Sequence, residues 1–237
     1  RIGIVDDSVK DIFESCKNLK QISNKDIKPT KLYPLNSCVD YINKSEFDKA
    51  VKSSEGNLVY EYVQEFESYN PREASRKVQE SVIEKYKSSS IIPDTLELCV
   101  GCQVMLIQNL DLTSEGEQKL VNGSRGVVKR FVDDIPVVEF TNGKEILVDY
   151  YTWEIEENDI SYGQIIQIPL KLAYAFSIHK SQGCSLDYVS INLRNVFEYG
   201  MGYVALSRVR DLSGLYIEDI DWNKIRAHPA VSEYFHE

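Results

Sequence analysis

No apolar run in this sequence reaches the about 18 residues that a membrane-spanning helix needs, and the N-terminus carries no charged-then-apolar leader. Both absences lead to the expectation of an intracellular chain with no membrane partner. The five cysteines (Cys16, Cys38, Cys99, Cys102 and Cys184) are odd in number and scattered, which argues against a disulfide framework and fits reduced thiols. Cys99 and Cys102 form a lone CxxC with no second pair to complete a tetrahedral zinc site, so neither a metal site nor redox chemistry is expected there. A phosphate-cradling loop of the form GxxxxGK[ST] is missing as well: Gly143-Lys144 is followed by Glu145. No internal repeat or low-complexity segment occurs, and the chain opens on Arg1 rather than Met, as expected of a piece of a longer protein.

What is present is a globular composition, 43% hydrophobic and 27% charged, in 237 residues. The net charge of −10 argues against a general polyanion binder, but the charge is unevenly spread. Residues 99–162 carry 5 basic and 12 acidic side chains, whereas residues 163–212 carry 5 basic and 3 acidic and form the one net positive segment. Screening over about 8 to 10 Å confines each patch's field, so a local phosphate site is compatible with an acidic whole.

"IKPTKLYPLNSCVDYINK" reads as a strand around Pro29 to Tyr33, a turn at Pro34-Leu35, and a helix capped by Asn36 or Ser37 with Val39 and Ile42 on one face. "NPREASRKVQESVIEKYKSSS" predicts a helix with Asn70 as N-cap, Pro71 at its first position, and Ala74, Val78, Val82 and Tyr86 at helical spacing. From Leu96 onward, "VMLIQNL", "RGVVKRF", "IPVVEF" and "EILVDYYTWEI" are short strand-like runs, with Asn122-Gly123 and Asn142-Gly143 as turn pairs. Asp6-Asp7 and Asp133-Asp134 read as solvated turns. After residue 167 the nearly continuous apolar runs "KLAYAFSI", "YVSINL" and "LYIEDI" predict strands covered on both faces. The expected fold is α/β: a parallel-sheet domain interrupted by a small antiparallel barrel.

Two constellations carry chemistry. "SIHKSQGCSLDYV" (177–189) places five polar or small residues between two apolar runs, at the edge of a sheet where α/β proteins bind ligands. His179 and Lys180 can donate to phosphate oxygens, Ser177, Ser181 and Gln182 can bond phosphate, sugar or water, and Gly183 permits close backbone approach. Alone, such a string also fits an ordinary polar loop. "GMGYVALSRVRDLSGLYI" (200–217) ends a helix near Arg208 and Arg210. Arginines there serve the helix dipole or aim a permanently charged fork at a γ-phosphate, and spacing does not separate the two.

Taken together and in order, "LVNGSRGVV" (120–128), "IPLKLAYAFSIHKSQGCSLDYV" (168–189) and "GYVALSRVRDLSGL" (202–215) resemble the C-terminal half of the Pif-type (petite integration frequency) DNA helicases, RecD-like members of superfamily 1B. "IKPTKLYPLN" and "HPAVSEYF" extend the resemblance over most of the chain. It implies three parts: residues 1–95 as the first part of the second RecA-like domain, 96–167 as an inserted SH3-like β-barrel, and 168–237 as the rest of that domain with a C-terminal helix. It implies an ATP-dependent 5′→3′ helicase of DNA replication, recombination and repair, with single-stranded DNA and the first RecA-like domain of the same parent chain as partners.

By the same resemblance Arg208 stands at the arginine finger's position, with Arg210 as fallback. Gln182 and Gly183 line the nucleotide side of the cleft. His179, Lys180 and Ser177 face the DNA phosphates, and Thr30 and Asn36 lie where the domain approaches the DNA backbone. ATP and Mg2+ would be bound mainly by the first domain, whose phosphate loop this chain lacks, so the fragment alone is expected to be inactive as an ATPase. Tyr150, Tyr151 and Trp153 are expected in the core rather than as base-stacking platforms. Two other readings stay open: a non-catalytic DNA-binding or protein-docking module, and a RecD-like subunit of a recombination nuclease.

Overall fold

The first helix, α1 (Asp7–Ser15), is started by Asp6, whose carboxylate accepts the Val9 amide at 2.9 Å, so Asp6-Asp7 opens a helix and is not a free turn. The computed structural model describes residues 6–17, 27–69, 75–110, 119–181 and 183–234. Next come β1 (Thr30–Tyr33) and α2 (Asn36–Ser53). Leu35 holds the N-cap position of α2 with no side-chain bond, so Asn36 begins the helix instead of capping it.

The expected parallel sheet is present. Its other strands are β12 (Ala175–Ser177), β13 (Val189–Leu193) and β14 (Leu215–Ile220), in the spatial order β12-β1-β13-β14, every neighbour parallel. Continuous apolar runs suit strands covered on both faces, and Leu32, Phe176, Val189, Ile191, Leu193, Leu215 and Ile217 fill one cluster. Met201 and Ala205 of the short helix α4 (Met201–Leu206) close that cluster.

Between β1 and β12 the chain runs through β2 (Tyr60–Val63), β3 (Glu65–Ser68), α3 (Arg76–Ser89), β4 (Thr95–Leu98), β5 (Gln103–Leu106), β6 (Arg125–Val132), β7 (Ile135–Phe140), β8 (Glu145–Leu147), β9 (Tyr151–Glu157), β10 (Ile160–Gln167) and β11 (Leu170–Leu172). They form antiparallel sheets of order β11-β5-β6-β7-β8, β3-β10-β9 and β2-β4. The antiparallel pairing thus begins at Tyr60, well ahead of residue 96, because β2 registers with β4 and β3 with β10. It also runs past residue 167, through β11 on β5.

"EILVDYYTWEI" is split between β8 and β9, which lie in different sheets. Asn142-Gly143 turns β7 into β8 with Gly143 at φ +80°, whereas the β6–β7 and β9–β10 hairpins turn on Asp133-Asp134 and Asn158-Asp159, all four at positive φ. Helix α3 has Ser75 at its N-cap, and Val78 faces solvent while Val82 packs on Ile155, Tyr162 and Ile165. The N-cap expected at Asn70, and Pro71 and Ala74 with it, lie outside the described residues. The helix of "HPAVSEYF" is α5 (Pro229–Tyr234). No helix among the described residues is long and apolar enough to cross a membrane.

A buried polar joint ties the two sheet systems together. Gln103 on β5 accepts the Lys28 amide at 2.9 Å and donates to the carbonyls of Lys28 and Ala173 at 3.0 and 2.9 Å. Its own amide donates to the Tyr174 hydroxyl at 3.0 Å. Arg125 on β6, wholly buried, donates through Nη1 to the Lys28 carbonyl and to Thr30 Oγ1, each at 3.2 Å. Its Nε and Nη2 have no hydrogen-bond partner among the described residues, and desolvation draws the guanidinium down to about 10.

Candidate functional site

The 177–189 stretch leaves the sheet at the C-terminal end of β12. One turn of 3-10 helix (His179–Ser181) follows, then Gly183 at φ +81° with open space where a Cβ would stand, then β13. Ser181 is buried and its hydroxyl donates to the Ile178 carbonyl at 2.6 Å, so this serine shapes the turn. His179 and Lys180 project outward; His179 Nε2 lies 2.7 Å from Glu198 Oε2. Gln182 lies outside the described residues.

Arg208 follows α4 directly and turns its guanidinium onto this turn. Nη1 donates to the carbonyls of Ser181 and Cys184, both at 3.4 Å; Nε donates to the Val204 carbonyl at 3.0 Å, and Nη2 to Ser207 Oγ at 2.8 Å. Arg210 is exposed and pairs with Asp187 at 3.1 Å. Backbone bonds from Leu186 to Arg208 and from Arg210 back to Leu186 bind the two segments as a short parallel bridge. Gly214 makes this possible, because a Cβ there would overlap the Asp187 carbonyl. Asn122-Gly123 packs from the antiparallel side, where a Cβ on Gly123 would come within 3.0 Å of the Ser185 carbonyl. Three stretches far apart in sequence thus meet at one place.

Beside the turn lies a cleft of about 570 Å³ between α2 and β12 on one wall and α3 with residues 90–97 on the other. Lys87, Lys171 and Lys180 line it together with Asn36 and Ser177, and Asp40, Asp94 and Glu97 line it too. Lys171 is half-buried, with Nζ 3.9 Å from the centre of the Phe176 ring. Burial and, less strongly, the charge of Lys180 draw its ammonium down to about 8. Nothing in the sequence alone singled out Lys171 or Lys87; the apolar run around Lys171 reads as strand.

Of the residues expected to face DNA, His179 lies outside the lining of this cleft and pairs with Glu198, while Lys180, Asn36 and Ser177 border it, Ser177 with only 3% exposure. Thr30 does not. It is fully buried in the joint, where its hydroxyl donates to the Ala173 carbonyl at 3.0 Å and accepts from Arg125, so it is a packing residue. Of the aromatics, Tyr150 is half-exposed and sits edge-on to Tyr62, while Tyr151 and Trp153 pack on each other at 4.9 Å. Trp153 Nε1 donates to Gln108 at 3.1 Å.

Residues 83–131 match the family described as DNA helicase Pif1, 2B domain. The ATP-dependent DNA helicase PIF1 of Xenopus laevis is 46% identical over 145 residues, which is 60% of this chain and 22% of the relative. Uncharacterized protein 030L of Invertebrate iridescent virus 6 is 29% identical across 99% of this chain and 56% of its own length. The Pif1 helicase structure from Candida albicans aligns with a TM-score of 0.71 at 29% identity, covering 99% of this chain and 55% of that one. Bacteroides sp Pif1 in complex with ADP-AlF4 aligns at 0.74, and Bacteroides Pif1 bound to ssDNA at 0.59. Both are 26% identical and cover 98% of this chain and 50% of theirs. The chain spans between about a fifth and just over half the length of these relatives, and the similarity is to part of a DNA helicase.

Proposed function

We propose that this chain, similar to Pif-type DNA helicases over nearly its whole length, is the second RecA-like part of an ATP-dependent 5′→3′ DNA helicase, with its antiparallel strands forming the SH3-like insertion. The observation that carries the reading is the contact of Arg208 with the Ser181 and Cys184 carbonyls, at the C-terminal edge of a parallel sheet. A permanently charged, planar fork stands there beside an open glycine turn.

The residues present fit one wall of a nucleotide site and no more. Arg208 would give positive charge to a γ-phosphate held by a first RecA-like domain. Its two 3.4 Å bonds are long and weak, so the guanidinium can exchange them for phosphate oxygens at small cost. Gln182 and Gly183 would line the same wall. Phosphate loop and magnesium ligands would come from the first domain, so this chain alone would not hydrolyse ATP. ATP, once bound across both domains, supplies the energy for stepping along DNA.

Single-stranded DNA would lie along the cleft, its phosphates met by Lys180 and Lys171, with Asn36 beside them and the nearly buried Ser177 in the wall. Asp40, Asp94 and Glu97 on the same walls offset part of that charge. Binding by this chain alone would therefore be weak and would fall with salt. Fluorescence anisotropy of a labelled oligothymidine with the 237-residue chain tests this. Weak binding that rises as salt is lowered, and is reduced in Lys180→Ala, is expected; salt-insensitive binding, or binding untouched by Lys180→Ala, would reject the placement of DNA in this cleft.

A further inference from the structure

We propose that Cys99 and Cys102 form a redox-modification site, a dithiol converted to an intrachain disulfide by exchange with a small disulfide of the glutathione class. The proposal does not rest on the helicase reading. Cys99-Val100-Gly101-Cys102 is the whole connection from β4 to β5, and the Cys102 amide donates to the Cys99 carbonyl at 3.2 Å, closing the four residues into one turn. Gly101 takes φ +84° at the tip, with open space where a Cβ would stand. A four-residue turn closed in this way holds its end Cα atoms within about 7 Å of each other, the separation that a disulfide spans. Cys16 and Cys184 belong to the other core cluster, and Cys38 is exposed on α2.

Both sulfurs are buried, and buried thiols are inert by default. The cover here is thin: Val100 and Gly101 at the turn tip are themselves exposed, Val100 at 42%. Two bonds pin the tip to β6, from the Gly101 amide to the Val128 carbonyl at 2.8 Å and from the Val128 amide to the Cys102 carbonyl at 3.1 Å. Local opening of that one pair of bonds admits a small reagent without unfolding the sheet.

The two thiols also differ. The hydrogen bond from Cys102 holds Cys99 below the usual thiol range, whereas burial pushes Cys102 well above it. Cys99 is the attacking sulfur. As thiolate it displaces one thiolate from the small disulfide and becomes a mixed disulfide. Cys102 then loses its proton to solvent, attacks the Cys99 sulfur and expels the second thiolate. Two electrons pass from the protein to the small disulfide, which leaves as two thiols. The bond would fix the backbone immediately before Gln103, the residue that joins the antiparallel strands to the parallel sheet.

The test equilibrates the folded 237-residue chain in glutathione buffers of graded redox ratio, quenches by alkylation and maps the thiols by mass spectrometry. Expected is a Cys99–Cys102 disulfide that titrates as a single two-electron transition, and in Cys102→Ser a glutathione adduct on Cys99. Both thiols staying free in the folded chain, at ratios where the urea-unfolded chain forms the bond, would overturn the proposal. So would Cys99 pairing with any other cysteine. The wild-type chain decides by itself, whether or not the variant folds.

Discussion

Arg208 Nη1 donates to the carbonyl of Ser181, 27 residues earlier in the chain, at 3.4 Å. That contact makes one object of two motifs that are each ambiguous alone: the polar turn after β12 and the arginine after α4. The parallel bridge between Leu186 and Val209 fixes their relative position, so a displaced Arg208 would be a side-chain event and not a backbone one.

Lys171 makes a pH prediction. Its ammonium titrates at about 8, below the ordinary ~10.4 of lysine, because burial disfavours its charge. A DNA phosphate requires the charged form, so affinity of this chain for single-stranded DNA falls between pH 7 and pH 9. Lys171→Met binds more weakly at pH 7 and shows a flatter pH profile, read by anisotropy titrations at fixed salt. Identical profiles for the two proteins would remove Lys171 from the DNA path. The same depressed value gives the opposite slope for folding. Between about 8 and ~10.4 the unfolded chain binds more protons at this residue, so its contribution to stability rises with pH.

The joint yields a contrast between two substitutions. Gln103→Leu leaves the Lys28 amide without its acceptor and is expected to cost about 1–3 kcal/mol in urea unfolding. Arg125→Met strands nothing: the Lys28 carbonyl keeps Gln103, and the Thr30 hydroxyl keeps the Ala173 carbonyl. It also removes two buried nitrogens without hydrogen-bond partners among the described residues, so stability should be unchanged within about 1 kcal/mol or should rise. A loss of several kcal/mol on Arg125→Met would show that the guanidinium holds the joint together.

Gly214→Ala tests the bridge that aligns the arginines. The added methyl collides with the Asp187 carbonyl, so Asp187 must move and with it the partner of Arg210. We expect a loss of about 1–3 kcal/mol or more. Unchanged thermal unfolding would mean that the 186–210 bridge yields easily.

Strands β12 and β13 were legible because burial on both faces leaves nearly uninterrupted apolar runs, as in Val189–Leu193, whereas the edge strand β14 is buried only at Leu215 and Ile217. The Asn142-Gly143 turn was legible because positive φ favours those residues. Less legible were β2 and β3: "YEYVQEFES" is mostly exposed and acidic, and its strands are defined by partners 32 or more residues away, β4 and β10. Thr30 illustrates the limit at the site. The resemblance set Thr30 where the domain approaches the DNA backbone, whereas Arg125 from another sheet and the Ala173 carbonyl hold it fully buried. Lys171 was hidden by the reverse error, a charge set in an apolar run, its ammonium resting over the Phe176 ring in the wall of the cleft.

The most direct measurement is single-stranded-DNA-stimulated ATPase of this chain joined to a first, phosphate-loop RecA-like domain, the arrangement proposed above, wild type against Arg208→Ala, with nucleotide affinity measured in both. The account predicts a fall in turnover of roughly a thousandfold with affinity largely kept. An unchanged rate would contradict it and return Arg208 to the structural role that its bonds to Val204 and Ser207 already describe.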